Sequence, residues 1–489
     1  MRASGIILPI FSLPSNYGIG TLGKEAYNFV DFLSKAKQKY WQMLPVGPTS
    51  YGDSPYQSFS TFAGNPYFID LDKLKEDGLL EKKDIESFNY GDNENYIDYA
   101  AIYESRFKVL KIAYENGCIR YENKIKKFKE ENAQWVFDYS LFMALKDHFN
   151  GVAWKEWNQD IKLRTPEAME KYSELLKNDI ELYIFIQFLF YKQLEELKTY
   201  ANERGIKIIG DIPIYVAEDS ADTWANPEFF MLDENLNPKK VAGCPPDAFS
   251  VDGQLWGNPI YNWEALEKDG YKWWTQRVKA TMKSFDVIRI DHFRGFESYW
   301  AVPYGEPTAV NGTWEKGPGI KVFNAIKEEL GDVDIIAEDL GFITEEVRQL
   351  LKDTAYPGMK ILQFAFDPSG ESEYLPHNYD KNVVVYTGTH DNDTIKGWFN
   401  SAREEEREFC RKYTGMKDEN DNWAIIRVMM GSSANTAIMQ MQDLLNLGSE
   451  SRINIPSTLG VNWKWRMSKG DLRNELAEKL AELTKIYGR

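Results

Sequence analysis

Short apolar runs, most of them rich in β-branched residues, recur along the chain, and each ends in a loop of Gly, Pro, Asp or Asn. Eight of these runs read as strands: residues 5–8, 40–44, 206–211, 287–291, 334–338, 359–364, 383–387 and 452–455. A continuous apolar run, rather than strict alternation, marks a parallel strand buried on both faces. Between the later runs lie segments of helical period at 322–330, 344–352 and 423–447. This strand–helix alternation predicts an α/β fold, a (β/α)8 TIM barrel.

The gap of roughly 160 residues between the second and third strands is too long for one crossover. It holds a charged, aromatic-rich region that reads as a helical insertion over 71–156. Thr165-Pro166-Glu167 then supplies an N-cap and a proline at the first helical position. The last helix before the third strand starts near Asp179 and stops at Gly205, a C′ glycine. A second insertion, 214–263, is rich in Gly, Pro and Asn and reads as an ordered, functional loop. Ser468 and Asp471 have capping-box spacing and start a C-terminal helix. With no internal repeat and no low-complexity linker, residues 1–489 read as one barrel with helical and loop subdomain insertions.

A net charge of −17 argues against nucleic-acid and anionic-membrane partners, which reward a basic surface. The most apolar stretch, 180–191, is interrupted by Gln187 and is shorter than the ~18 residues a bilayer span needs. The N-terminal apolar run is too short for a secretory signal. Three distant cysteines, Cys118, Cys244 and Cys410, suit a reducing cytoplasm rather than a disulfide framework. Four His and no CxxC or HExxH pattern make a metal site unexpected, and no cofactor is expected. Aromatics reach 14%. Most belong to a large core, leaving a minority free to line a ligand cleft.

Chemistry concentrates at the strand ends. Arg289-Ile290-Asp291-His292 closes the fourth run, Ala337-Glu338-Asp339 the fifth and Thr389-His390-Asp391-Asn392-Asp393 the seventh. Carboxylates delivered by separate strand ends are how a barrel builds a site at its C-terminal face. Several in one cleft suit glycosidic-bond chemistry. Arg289 and Asp291, two apart on a strand, share a face, so the guanidinium should hold the carboxyl ionised and lower its pKa. A structural pair tying two strands fits this motif equally. Glu338, on the next strand end, should approach Asp291 within the ~5–5.5 Å of a retaining pair and keep its proton as general acid. A helix-capping role is the competing reading for Glu338 and Asp339. Asp391 suits a grip on ring hydroxyls, although His-Asp-Asn-Asp is also good turn sequence. Asp211, closing the third strand, is as well suited to a structural rim as to sugar binding.

These motifs, in this order, resemble the α-amylase superfamily of retaining α-glucosidic enzymes. More narrowly they resemble the amylomaltase, or 4-α-glucanotransferase (disproportionating enzyme), family. The narrower likeness is carried by residues 13–20, Ser54-Pro55-Tyr56-Gln57-Ser58, Gly210-Asp211-Ile212-Pro213, the 243–263 loop and Asn462-Trp463-Lys464-Trp465-Arg466. It implies Asp291 as nucleophile, Glu338 as acid/base and Asp391 as transition-state stabiliser. It also implies that Arg289, His292, His390, Asp211 and Asp367 hold the sugar. Tyr56 and Ser54 would join from the second-strand loop, Gln254 and Trp256 from the proline-bearing loop, and Asn462 from beyond the eighth strand. The expected substrates are α-1,4-glucans and maltooligosaccharides, and the expected state is a monomer or weak homo-oligomer without metal. An α-glucan hydrolase would use the same three acids; a silent glycan-binding barrel would normally lack one.

Overall fold

The computed structural model describes residues 2–50, 52–246 and 250–489. Eight parallel strands form the centre. They are β1 (Ala3–Ile7), β2 (Tyr40–Gln42), β3 (Lys207–Ile212), β6 (Val287–Ile290), β9 (Ile335–Ala337), β10 (Gly358–Ile361), β11 (Val383–Tyr386) and β12 (Thr436–Gln440). Their spatial order is β10-β11-β12-β1-β2-β3-β6-β9. The barrel closes where the Ala337 amide donates to the Pro357 carbonyl, 2.9 Å away. Seven strands lie where the apolar runs place them. The first sequence, Ala3–Ile7, is buried at every position, as a strand between two others should be.

The eighth strand differs. Residues 452–455 form loop, and the segment read as one helix over 423–447 divides into a helix Asn422–Gly431, then β12, then a short helix Met441–Leu444. The break falls at Ser432-Ser433, and the buried 437–440 run pairs with both β1 and β11. The last helix also begins later, at Asn474. The Asp471 carboxylate does accept the Ser468 amide (2.9 Å), but the pair closes a turn ahead of the helix.

Between β2 and β3 the chain is helical, with Tyr99–Gly117 and Val136–His148 among its longer pieces. Helix Pro166–Leu175 starts as its sequence requires, with the Thr165 hydroxyl accepting the Ala168 amide and proline in the first turn. The 27-residue helix Lys177–Glu203 follows and packs the apolar 180–191 stretch into the core. No helix among the described residues is long and apolar enough to cross a membrane.

A second, antiparallel sheet has the order β5 (Gln254–Pro259), β4 (Lys240–Cys244), β7 (Ser298–Pro303), β8 (Thr313–Lys316). It joins the insertion after β3 to the connection after β6, with Val241 opposite Val302 and Trp300 opposite Trp314. The insertion is therefore a sheet-forming arm where its composition suggested loop. Asp247, Ala248 and Phe249 of the proline-bearing segment lie outside the described residues.

Gln187, the polar break in the apolar stretch, is fully buried and clamps the backbone of Gly64. Its Oε1 accepts the Gly64 amide (2.7 Å) and its Nε2 donates to the Gly64 carbonyl (2.9 Å). Gln193 repeats the device on Asp70. These bonds fix the segment that leads out of β2. Gln187→Leu leaves a buried donor and a buried acceptor unpaired, at about 1–3 kcal/mol each. A melting temperature lowered by several degrees is expected; an unchanged one in a thermal scan would show that Gly64 finds other partners.

Candidate active site

The acidic groups converge because β3, β6 and β9 run side by side in register. Asp211 pairs with Arg289, and Ile290 with Ala337, so Asp291 and Glu338 each stand one residue beyond a matched pair. The Glu338 amide donates to the Ile290 carbonyl and the Phe293 amide to the Glu338 carbonyl, both at 3.0 Å. The two strand ends are thereby locked together.

Arg289 organises the floor. Its guanidinium is buried; Nη1 donates to both oxygens of Asp211 (2.8 and 2.7 Å), and Nη2 lies 3.1 Å from Asp291 Oδ1. The Asp211 side chain has no exposed surface and also accepts the Tyr56 hydroxyl at 2.8 Å. Tyr56 stacks on His390 with centroids 5.0 Å apart and planes 20° apart. His390 Nε2 lies 3.3 Å from Asp391 Oδ2. One continuous chain of contacts runs Asp291, Arg289, Asp211, Tyr56, His390, Asp391.

Glu338 is held by two amides, Oε2 by His292 (2.7 Å) and Oε1 by Leu340 (2.8 Å). The His292 contact needs a left-handed backbone at that residue (φ 51°), which turns its N–H toward the carboxylate. Burial and then the neighbouring Asp291 charge push Glu338 up to about 7, against the lowering pull of Arg289 and the two amides. Asp291 is also raised, to about 6, because burial outweighs the pull of Arg289. This reverses the expectation that the adjacent cation would lower it: Arg289 shares its charge with Asp211, whose own charge pushes the proton back onto Asp291. Burial works against Asp391 as well, yet His390, Asn454 and Arg289 hold it down at about 2. Asp391 thus stays ionised while the Asp291–Glu338 pair holds a proton to higher pH.

The second sheet forms one wall. Trp256 meets His292 edge to face at 4.8 Å, and its indole N–H donates to Gln254 Oε1 (3.1 Å). Burial, then the Arg294 charge, keeps His292 neutral with a pKa near 3. Ser54 closes its own turn, accepting the Tyr56 amide. Asp339 accepts the Met359 amide at 2.6 Å and ties β9 to β10, while the N-cap of the following helix, Glu345–Thr354, is Thr344.

Two candidates stand apart from the cluster. Asp367 turns back on its own loop, accepting the Ser369 amide, and makes no hydrogen bond or ion pair with the other candidates among the described residues. Asn462 is buried and spends its side chain on its own loop, bonding the Ile455 amide (2.9 Å) and the Thr458 carbonyl (2.9 Å). Its neighbour Trp463 instead lies beside Tyr56 and His390, with centroids 6.0 Å from each.

Sequence reasoning missed Asn454 and Arg452. Asn454 Nδ2 donates to Asp391 Oδ1 (2.6 Å) and Arg452 Nη2 to the Asp391 carbonyl (2.5 Å). Both sit in the segment read as the eighth strand, an assignment that hid their loop role. Gln57, which bridges to Asn258 (3.0 Å) and so ties the second-strand loop to β5, carried no signal beyond its motif.

Residues 8–472 match the family model described as 4-alpha-glucanotransferase. The 4-alpha-glucanotransferase of Clostridium butyricum is 57% identical over 483 residues, covering 98% of this chain and 99% of that one. The Thermus thermophilus 4-alpha-glucanotransferase is 45% identical over 500 residues, covering 100% and 99%. Among solved structures, amylomaltase from Streptococcus agalactiae in complex with acarbose superposes with a TM-score of 0.97, at 45% identity and with complete coverage of both chains.

Arg289→Lys keeps the charge but cannot fork between two carboxylates. Losing one charge-assisted hydrogen bond of about 1.5–3 kcal/mol should lower the turnover of the purified variant by roughly 10–150-fold. Wild-type kinetics would mean that Arg289 only ties strands.

Proposed function

The chain belongs to the 4-alpha-glucanotransferase family and is a 4-α-glucanotransferase; from that premise we propose how its own residues divide the retaining reaction. Asp291 attacks the anomeric carbon of an α-1,4-glucan while Glu338 protonates the departing glycosidic oxygen, giving a covalent glucosyl-enzyme. Glu338, now a base, deprotonates the 4-hydroxyl of an acceptor glucan or glucose, which attacks the intermediate. Two inversions give retention.

The carrying observation is a pair of carboxyls locked at adjacent strand ends, with a guanidinium beside Asp291. Burial raises both above the ordinary carboxylate range, but the Arg289 guanidinium lies 3.1 Å from Asp291 and favours its ionised form, leaving the shared proton to Glu338. Asp391, held at about 2, keeps its charge throughout and suits stabilisation of an oxocarbenium-like transition state. Arg289, His292 and His390 line the same floor and are read as sugar-holding groups. Asp211, with no exposed surface, serves that role by anchoring Arg289 and Tyr56. Trp256 and Gln254 are read as the cover of the acceptor side, where excluding water favours transfer.

Maltooligosaccharides are the proposed substrates; Asp367 is read with the sugar-holding groups, Ser54 and Tyr56 as contributions of the second-strand loop, and Asn462 as reaching in from beyond the eighth strand. Residues 1–489 are read as one catalytic barrel with insertions at 71–156 and 214–263. A monomer or weak oligomer suffices, since every candidate group comes from one chain. Three widely separated cysteines support a reducing, cytoplasmic location.

Given maltotriose alone, the enzyme should release glucose and build longer maltooligosaccharides with almost no gain in reducing ends. Each transfer breaks one α-1,4 bond and makes another. Time-resolved product analysis checks this; reducing ends rising in step with substrate loss, with nothing longer than maltotriose, would make it a hydrolase.

The pH profile follows from the same pair. The active form has Asp291 ionised and Glu338 protonated, so rate should rise as the pair loses its first proton and fall as it loses its second, both steps lying above the ordinary carboxylate range. Glu338→Gln should lower turnover by several orders of magnitude and remove the alkaline limb from what remains. An intact alkaline limb in that variant would assign the limb to another group.

A further inference from the structure

Two glutamine side chains, one just past β10 and one closing β12, the strands that flank β11, cross the turn that carries Asp391 and meet on a single atom. Gln363 follows β10 and Gln440 closes β12. Their Nε2 groups donate to the Asp393 carbonyl oxygen at 2.7 and 3.1 Å. Both side chains are buried. A carbonyl oxygen offers two lone pairs, and here the two amides occupy both.

Gly388 lies beneath the crossing. A Cβ at that position would stand 2.4 Å from Gln440 Nε2 and 2.8 Å from Gln363 Nε2. The turn therefore passes under the two amides only without a side chain there. Asp393 extends the anchorage: Oδ1 accepts the Thr394 amide (2.7 Å) and Oδ2 the Ser449 hydroxyl (2.7 Å). On the other side, Thr389 is tied through its amide and hydroxyl to Asn392 Oδ1, both at 2.9 Å. Between these fixed points the chain exposes the Asp391 side chain, 45% accessible at the cleft.

Closing a turn needs one donor. Two donors arriving from opposite neighbouring strands fix the turn in both directions along the barrel wall, which is a stronger constraint than closure requires. We propose that Gln363 and Gln440 are positioning residues for Asp391, a paired amide clamp that transmits the strand positions of β10 and β12 to that carboxylate. The proposal rests on reading Asp391 as the transition-state stabiliser. A misplacement of the order of 1 Å can cost about 10²-fold in rate, so loss of one amide should be visible in kcat.

The test is a double-mutant cycle with maltotriose as substrate. Gln440→Met and Gln363→Met remove the amide at similar volume, and Asp391→Asn removes the carboxylate they position. Each methionine variant should lower kcat by roughly tenfold, with KM changed less than threefold. In the Asp391→Asn background, assayed at high enzyme over long incubations, the same changes should cost less than about twofold more. Wild-type kcat in both methionine variants overturns the clamp. So does an undiminished tenfold loss in the Asp391→Asn background, which would make the effect general scaffolding. A near wild-type rate in Asp391→Asn alone defeats the reading of Asp391, and the clamp with it; the other failures leave that reading standing. If Gln440→Met does not fold, Gln363→Met carries the same cycle, and failure of both to fold assigns the amides to stability instead.

Discussion

One buried guanidinium makes this cleft possible. Asp211, Asp291, Glu338 and Asp391 lie within one connected network, and their mutual repulsion would otherwise force most of them to take up protons. Arg289 forks between Asp211 and Asp291 and lowers Asp391 as well. Because Asp211 absorbs much of its charge, the compensation reaching Asp291 is partial. Full neutralisation would hold Asp291 well below its ordinary range, and none would leave two protonated carboxyls facing each other. The intermediate case leaves one proton for the two carboxyls to share, which is what the proposed division of roles needs.

Much of the fold was legible because barrel strands in this chain are short apolar runs ended by charged motifs. β12 was not, since Ala437, Met439 and Gln440 are as acceptable in a helix as in a strand. Apolar segments before and after the strand merged with it into one apparent helical period. The antiparallel sheet escaped for another reason: its central pairing joins Lys240–Cys244 to Ser298–Pro303, and no local pattern records a partner some 60 residues away. That Arg289, Asp291, Glu338 and Asp391 stand at or just beyond strand ends was readable from the apolar runs they close. The direction of the Asp291 shift was not, because it depends on a second anion on a different strand. Asn454 was lost with the misassigned strand.

The two insertions reach the cleft in different ways. The segment after β2 is held from behind by Gln187 and Gln193 on one long helix, so its loop presents Tyr56 from a stiff support. The arm after β3 is held by strand pairing to the connection after β6, and it brings Trp256 to His292. His292 thus contacts the arm through its ring and Glu338 through its amide.

The register of β6 against β9 carries a consequence for how such an enzyme can diverge. Asp291 and Glu338 each follow a matched pair, Ile290 and Ala337, and further hydrogen bonds lock the positions beyond. Strands slide past one another only in whole-residue steps, and a single step turns each side chain to the opposite face. The backbone offset between the two residues therefore changes only in whole-residue steps, leaving side-chain length and rotamer as the sole finer adjustment. Lineages built on this frame can alter their chemistry through arms and loops, which vary by any length, while the register at the centre is inherited whole or lost.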